Sequence, residues 1–183
     1  MAHHRLFVAI RPPAPVCAAL LRVMGGVPGA RWQDDAQLHI TLRFIGEVDR
    51  HQAEDIAALL GHVRHPGFSL TLAESGTFER NGRVDALWIG VSPRDRIKAL
   101  HGKIDRMLAQ AGVAPDSRAF LPHITLARFA RSAAPPPGAA AGIVPPPLDP
   151  FAVTSFELFE SHLGSEGAIY DTVARYLLDP PEA

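Results

Sequence analysis

His39-Ile40-Thr41-Leu42 recurs as His123-Ile124-Thr125-Leu126, an identical tetrapeptide in the second half of the chain. With 9 histidines and six threonines in 183 residues, only about 0.3 His-x-Thr triplets are expected by chance. Two identical strings therefore mark a repeat, and their surroundings extend it. Leu6-Phe7-Val8-Ala9-Ile10 precedes the first string, and Leu87-Trp88-Ile89-Gly90-Val91 precedes the second at nearly the same interval. Both are apolar strand-like runs that end in a proline turn, Pro12-Pro13 and Pro93. Downstream, Phe68-Ser69-Leu70-Thr71-Leu72 follows the first string, and Phe151-Ala152-Val153-Thr154 follows the second, again at almost equal distances. The spacing predicts a duplicated strand–helix–strand–(helix or loop)–strand unit, with halves of approximately 5–80 and 84–178.

Helical periodicity fills the gaps. Residues 14–24 and 94–111 follow the two opening strands, and Ile97, Leu100, Ile104, Met107 and Leu108 form one apolar face of the second helix. Gly112 supplies its stop. The halves differ after the motif. Residues 50–63 carry a short helical pattern, whereas 133–150 hold 7 of the 17 prolines and read as an exposed, partly polyproline connector. Strands near 153–160 and 168–177, around the turn Gly164-Ser165-Glu166-Gly167, close the chain. The expected fold class is α+β. Residues 1–183 form a single duplicated, bilobal domain, with two largely antiparallel sheets facing a central cleft and helices on the outside.

Composition narrows the function classes. A chain of 19.7 kDa with 47% hydrophobic residues and a net charge of −1 is not a disordered tail. One cysteine, Cys17, excludes an internal disulfide. No apolar run approaches the ~18–20 residues of a membrane span, and Met1 to Arg5 lack signal-peptide anatomy. A soluble, cytoplasmic monomer that does not engage membranes is expected. Of the 18 basic residues only Lys98 and Lys103 are lysine, a skew that a GC-rich coding sequence explains. Near-neutral charge argues against a broad nucleic-acid coat, so any nucleic acid must be handled in a local cleft.

Side chains alternate along a strand, so His39 and Thr41 share one face and Ile40 and Leu42 the other. The same holds for His123 and Thr125 against Ile124 and Leu126. The isoleucine–leucine faces pack under the helices, and the two His–Thr faces converge across the cleft. Imidazoles move protons near neutral pH and hydroxyls donate to phosphate oxygens. No His-Glu-x-x-His or Cys-x-x-Cys pattern is present, and Cys17 sits in a helix remote from both motifs, so no metal is expected. The other seven histidines read as surface or structural. A Gly-x-Ser-x-Gly elbow, a phosphate-binding Gly-Lys loop and a dinucleotide fingerprint are all missing, and no cofactor is implied.

Paired H-x-T-x motifs in a duplicated chain, with Arg5-Leu6-Phe7-Val8-Ala9-Ile10 at the start and Pro122-His123-Ile124-Thr125-Leu126-Ala127-Arg128 in the second half, resemble the two-histidine phosphoesterase superfamily. Within it the chain is similar to the RNA 2′,3′-cyclic phosphodiesterases, also called 2′-5′ RNA ligases. Family-like stretches continue at Gly76-Thr77-Phe78, Leu158-Phe159-Glu160-Ser161 and Tyr170, so the likeness spans about residues 4–178. The resemblance implies metal-independent hydrolysis of a terminal 2′,3′-cyclic phosphate to a 2′-phosphate, with reversible 2′-5′ ligation as the same chemistry run backwards. It implies His123 as proton acceptor, His39 as proton donor, and Thr41 and Thr125 on the phosphate oxygens. It also draws in Phe44, for stacking on a base, and Arg128, for a fork onto phosphate. Strict alternation puts Arg128 on the wrong face, so a bulge or strand end must re-aim it, and Arg43 is the rival cation by parity. The partner is RNA with 2′,3′-cyclic phosphate ends, or a small cyclic nucleotide. The alternatives are action on another small cyclic phosphate and a non-catalytic RNA-end binding module. Two complete motifs argue against the binding module.

Overall fold

The computed structural model describes residues 3–133, 135, 138, 143–164 and 167–181. Strands β1 (His4–Ile10), β3 (Ile40–Val48), β4 (Phe68–Arg80), β5 (Arg83–Ser92), β6 (His123–Phe129), β8 (Ser155–Gly164) and β9 (Gly167–Leu177) build the sheet, with the three-residue strands β2 (Ala30–Trp32) and β7 (Phe151–Val153) added at its margins. The helices are α1 (Ala14–Val23), α2 (Arg50–Leu60) and α3 (Arg94–Gln110). Asp49 caps α2 by accepting from the Gln52 amide, and Gly112, at φ +74°, takes the left-handed position just past α3. The predicted helices are therefore present, each within a few residues of its expected ends.

The sheet runs β7-β4-β5-β6-β3-β1-β8-β9, with β2 paired to β6, and every strand pair is antiparallel. The two separate sheets expected from the duplication are thus one continuous, curled sheet. The reason lies in two pairings between duplicated counterparts. Ile40 pairs with Ile124, and Ser69 pairs with Ala152. An antiparallel pair of equivalent residues sits on a local two-fold axis, so both seams lie where the two halves exchange. Beyond the seams the final strands swap sides. β4, from the first half, pairs with β5, which opens the second, and β8 pairs back onto β1. The spatial halves of the sheet are therefore not the halves of the chain.

One core unites them. Leu6, Val8 and Ile10 of β1, Ile40, Leu42, Ile124 and Leu126 of the motif strands, and Ile97, Leu100 and Ile104 of α3 are all no more than 2% exposed. The helices cover this apolar face, which leaves the opposite face of β3 and β6 for the polar residues of the two motifs. Of the proline-rich 133–150 segment, residues 134, 136–137 and 139–142 lie outside the described residues, as do Ser165 and Glu166 of the closing turn. Residues 143–150 form no helix or strand, although Ile143 and Leu148 pack against the core. No helix among the described residues is long and apolar enough to cross a membrane.

Candidate active site

The single pair Ile40–Ile124 joining β3 to β6 organises the site. Antiparallel register around it sets His39 across from Thr125 and Thr41 across from His123. Each motif's histidine therefore faces the other motif's threonine, and the two histidines are diagonal neighbours, which a regular antiparallel pair spaces by roughly 7–8 Å. The isoleucines between them are fully buried, whereas His39, Thr41, His123 and Thr125 are half-buried. Neither threonine hydroxyl has a hydrogen-bond partner among the described residues.

Both imidazoles are held in the same way. His39 Nδ1 lies 2.7 Å from the carbonyl of Gln37, and His123 Nδ1 lies 2.7 Å from the carbonyl of Leu121. A carbonyl only accepts, so Nδ1 carries the proton in both and Nε2 is the nitrogen left for chemistry. Gln37 is itself fixed, because it closes a reciprocal capping box with Asp34 at the 3-10 turn Asp35–Gln37 and donates from Nε2 to Ala168 O of β9. Aromatic rings complete each socket. Phe7 lies 5.1 Å and Tyr170 5.3 Å from the His39 ring, and Phe78 lies 4.8 Å edge-on to the His123 ring with Trp88 behind it. Gly76 admits that tryptophan: a Cβ there would come within 2.4 Å of the indole.

This dry surround lowers both histidine pKa values. Burial drives His39 down to about 4, with help from the charges of Arg128, His123 and Arg11 and against the hydrogen bond to Gln37. Burial also lowers His123, again against its carbonyl bond and with Arg128 assisting. A depressed folded pKa means that the unfolded chain binds the extra proton first. The contribution of His39 to stability is accordingly complete above pH 6.5 and lost as pH falls towards 4, an expected loss of about 3 kcal/mol. His39→Gln is expected to abolish that part of the acid destabilisation in urea melts at pH 7 and pH 4. An unchanged pH dependence would show that the imidazole is well hydrated.

Two bulges at equivalent places re-aim the flanking residues. On β6 the register steps from Trp88–Thr125 to Leu87–Ala127, leaving Leu126 as the extra residue. On β3 it steps from Ala9–Thr41 to Val8–Arg43, leaving Leu42. A bulge reverses the parity beyond it. Arg128 consequently joins the face of His123 and Thr125, exposed and with no ion pair among the described residues. Phe44 joins the opposite wall, 48% exposed, with its ring 5.9 Å from that of Phe7. The same bulge corrects the parity argument for Arg43. Its side chain is 7% exposed and turns to the helix side, where it donates to Asp105 Oδ1 on α3 at 2.6 Å and to the carbonyls of Phe44 and Ala114. Arg43 borders the cleft but spends its guanidinium on tying β3 to α3 and to the loop beyond it.

A cavity of about 370 Å³ opens against this face, with Thr41, Phe44, His123, Thr125 and Arg128 among its walls. Arg43 also contributes to the lining, whereas His39 stands outside it. The far wall is the loop between α3 and β6, where Asp116 holds Arg118 in a bidentate pair that keeps the carboxyl well below its usual range. Phe120 in that loop stacks on His101 at 4.1 Å, and His101 Nδ1 donates to Leu42 O at the β3 bulge. Sequence reasoning placed His101 among surface or structural histidines and did not single out Asp116, Arg118 or Phe120. They lie in an irregular loop with no periodicity to expose them. Among the described residues no group of three or more His, Cys, Asp or Glu side chains is arranged to hold a metal ion.

Comparison with known proteins gives the family and the fold. The family model of the 2'-5' RNA ligase superfamily matches residues 12–164. The RNA 2',3'-cyclic phosphodiesterase of Escherichia coli K12 is 34% identical over 181 residues, covering 95% of this chain and 96% of that protein. The enzyme of the same name from Aeropyrum pernix is 36% identical over 105 residues, which span 57% of this chain and 59% of that one. The crystal structure of E. coli LigT complexed with 3'-AMP superposes with a TM-score of 0.82 at 31% identity, covering 97% of this chain and 99% of that one. On the match to the family model and the near full-length similarity to the E. coli protein, the chain belongs to the 2'-5' RNA ligase superfamily.

Proposed function

We propose that this chain is an RNA 2′,3′-cyclic phosphodiesterase that opens a terminal cyclic phosphate to a 2′-phosphate by acid–base catalysis between His39 and His123. The observation that carries the reading is the matched pair of Nδ1-to-carbonyl bonds, which leaves Nε2 of each histidine as the nitrogen available for proton transfer. The names of the related enzymes support the substrate class.

In this mechanism His123 Nε2 takes a proton from water as the water attacks phosphorus in line, and His39 gives its Nε2 proton to the departing 3′ oxygen. Each transfer is worth typically 10²–10⁴ in rate. Thr41, Thr125 and Arg128 hold the non-bridging oxygens as charge develops on them. Burial lowers both histidines, and the order of roles, His123 as base and His39 as acid, is the one the family resemblance implies. The anionic substrate raises both values on binding, because a nearby opposite charge favours the imidazolium. Both proton transfers are supplied by imidazole, and the mechanism needs no Lewis acid. Run backwards with an RNA 5′-hydroxyl in place of water, the same residues perform 2′-5′ ligation. Phe44, exposed beside Phe7, offers the face on which a base stacks.

The pH dependence tests the reading. For kcat/KM, which reports the free enzyme, a bell is expected on the acid side of neutrality, between about pH 4 and 6.5, with the apparent values belonging to the coupled pair. The kcat profile is expected at higher pH, because the bound phosphate restores the protons. A rate flat from about pH 5 to 9 with chemistry limiting would remove the acid–base assignment.

A further inference from the structure

Strand β2 puts a second arginine beside the one already in the site. Arg31 pairs directly with Arg128 across β2 and β6. Side chains paired in this way share a face, and Arg128 lines the cavity with Thr41, His123 and Thr125. The neighbours of Arg31 agree, since Ala30 and Trp32 turn the other way and pack with Val84, Leu87, Ala127 and Phe129. The backbone of β2 is fixed, with the Ala30 amide donating to Val27 O and the Gln33 amide to Leu126 O at the bulge. The two guanidinium groups, by contrast, are exposed, and neither has an ion pair or a side-chain hydrogen bond among the described residues. The carboxylates next along the chain are engaged elsewhere, Asp34 by the Gln37 amide and Asp35 by Arg11. Like charges directly opposed on a sheet repel, and an anion held between them removes the repulsion.

We propose that Arg31, beside Arg128, is an anion subsite that holds the phosphodiester on the 5′ side of the terminal nucleoside. The inference rests on the function proposed above and adds the next phosphate of the same strand to it. Register places the subsite at one end of the two motifs. The pair Ile40–Ile124 sets His39 and Thr125 towards Arg128, and Thr41, His123 and then Phe44 towards the other end. His39 serves the departing 3′ oxygen, so the strand at its end is the one that carries the cyclic phosphate. Arg128 stands close enough to lower both histidines and serves the reacting phosphate. Arg31, one strand across, is left for the neighbouring phosphate. Such a contact positions the strand and reads no base. A mononucleotide has no phosphate to place there, whereas a dinucleotide has one.

The test uses wild type and Arg31→Gln with three substrates: a mononucleoside 2′,3′-cyclic phosphate, a dinucleotide ending in the same group, and that dinucleotide with an uncharged methylphosphonate as its internal linkage. Wild type is expected to favour the charged dinucleotide in kcat/KM. The variant is expected to lose about tenfold on it and to stay within about twofold on the mononucleotide, whose turnover serves as the folding control. Its salt dependence on the charged dinucleotide should be shallower by about 0.7 in the log–log slope, for one lost phosphate contact. On the methylphosphonate the two proteins should be alike. Equal losses on the mononucleotide and the charged dinucleotide, no loss on either, or a loss that persists on the methylphosphonate would overturn the subsite. A wild type that turns over none of the three would overturn the proposed function, and the subsite with it.

Discussion

His39→Ala and His123→Ala are each expected to lower kcat at least 10²-fold while changing affinity for an RNA end far less. The two side chains are interchangeable in support, each donating from Nδ1 to the carbonyl two residues before it. Because they act on one phosphate as a unit, the double variant should be little worse than either single one. Single-turnover rates with a 2′,3′-cyclic-phosphate oligonucleotide give the comparison directly. Either single variant keeping more than a tenth of wild-type activity would favour the RNA-end binding module over the enzyme.

Arg128→Ala carries the second largest expected effect, about 10²-fold in kcat, the usual cost of removing one preorganised donor from developing oxyanion charge. The Leu126 bulge brings this guanidinium round to the face of His123 and Thr125, and no carboxylate among the described residues forms an ion pair with it. Arg128→Lys should recover part of the loss, since charge is kept but the planar fork is not. A change below about threefold in Arg128→Ala would mean that the threonines alone hold the phosphate.

These two effects also show what the sequence could and could not disclose. The repeated His-Ile-Thr-Leu strings named the four central residues, because alternation on a strand is a local rule and the isoleucines and leucines obey it. Arg128 and Arg43 exceed that rule. Only tertiary pairing creates the bulges at Leu42 and Leu126, so parity counted along the sequence assigned Arg43 to the cleft and needed an exception for Arg128. The curling of two expected sheets into one has a similar cause. Pairings such as Ser69–Ala152 join segments from opposite halves of the chain, and nothing within either segment specifies the other as its partner. The aromatic sockets were half visible. Phe78 and Tyr170 stood in family-like stretches, but only the fold brings Tyr170 from β9 edge-on to His39. Phe120 and Arg118 left no pattern to read.

Proton transfer between two imidazoles leaves a distinctive product and no dependence on a metal ion. Purified protein in excess chelator is given an oligonucleotide with a terminal 2′,3′-cyclic phosphate, and phosphorus NMR follows the position of the product phosphate. Two imidazoles acting as proposed give sustained turnover, within about twofold of the rate without chelator, and a 2′-phosphomonoester as the product. Activity that disappears with chelator and returns with zinc or manganese, or no turnover in either condition, would contradict the two-histidine mechanism.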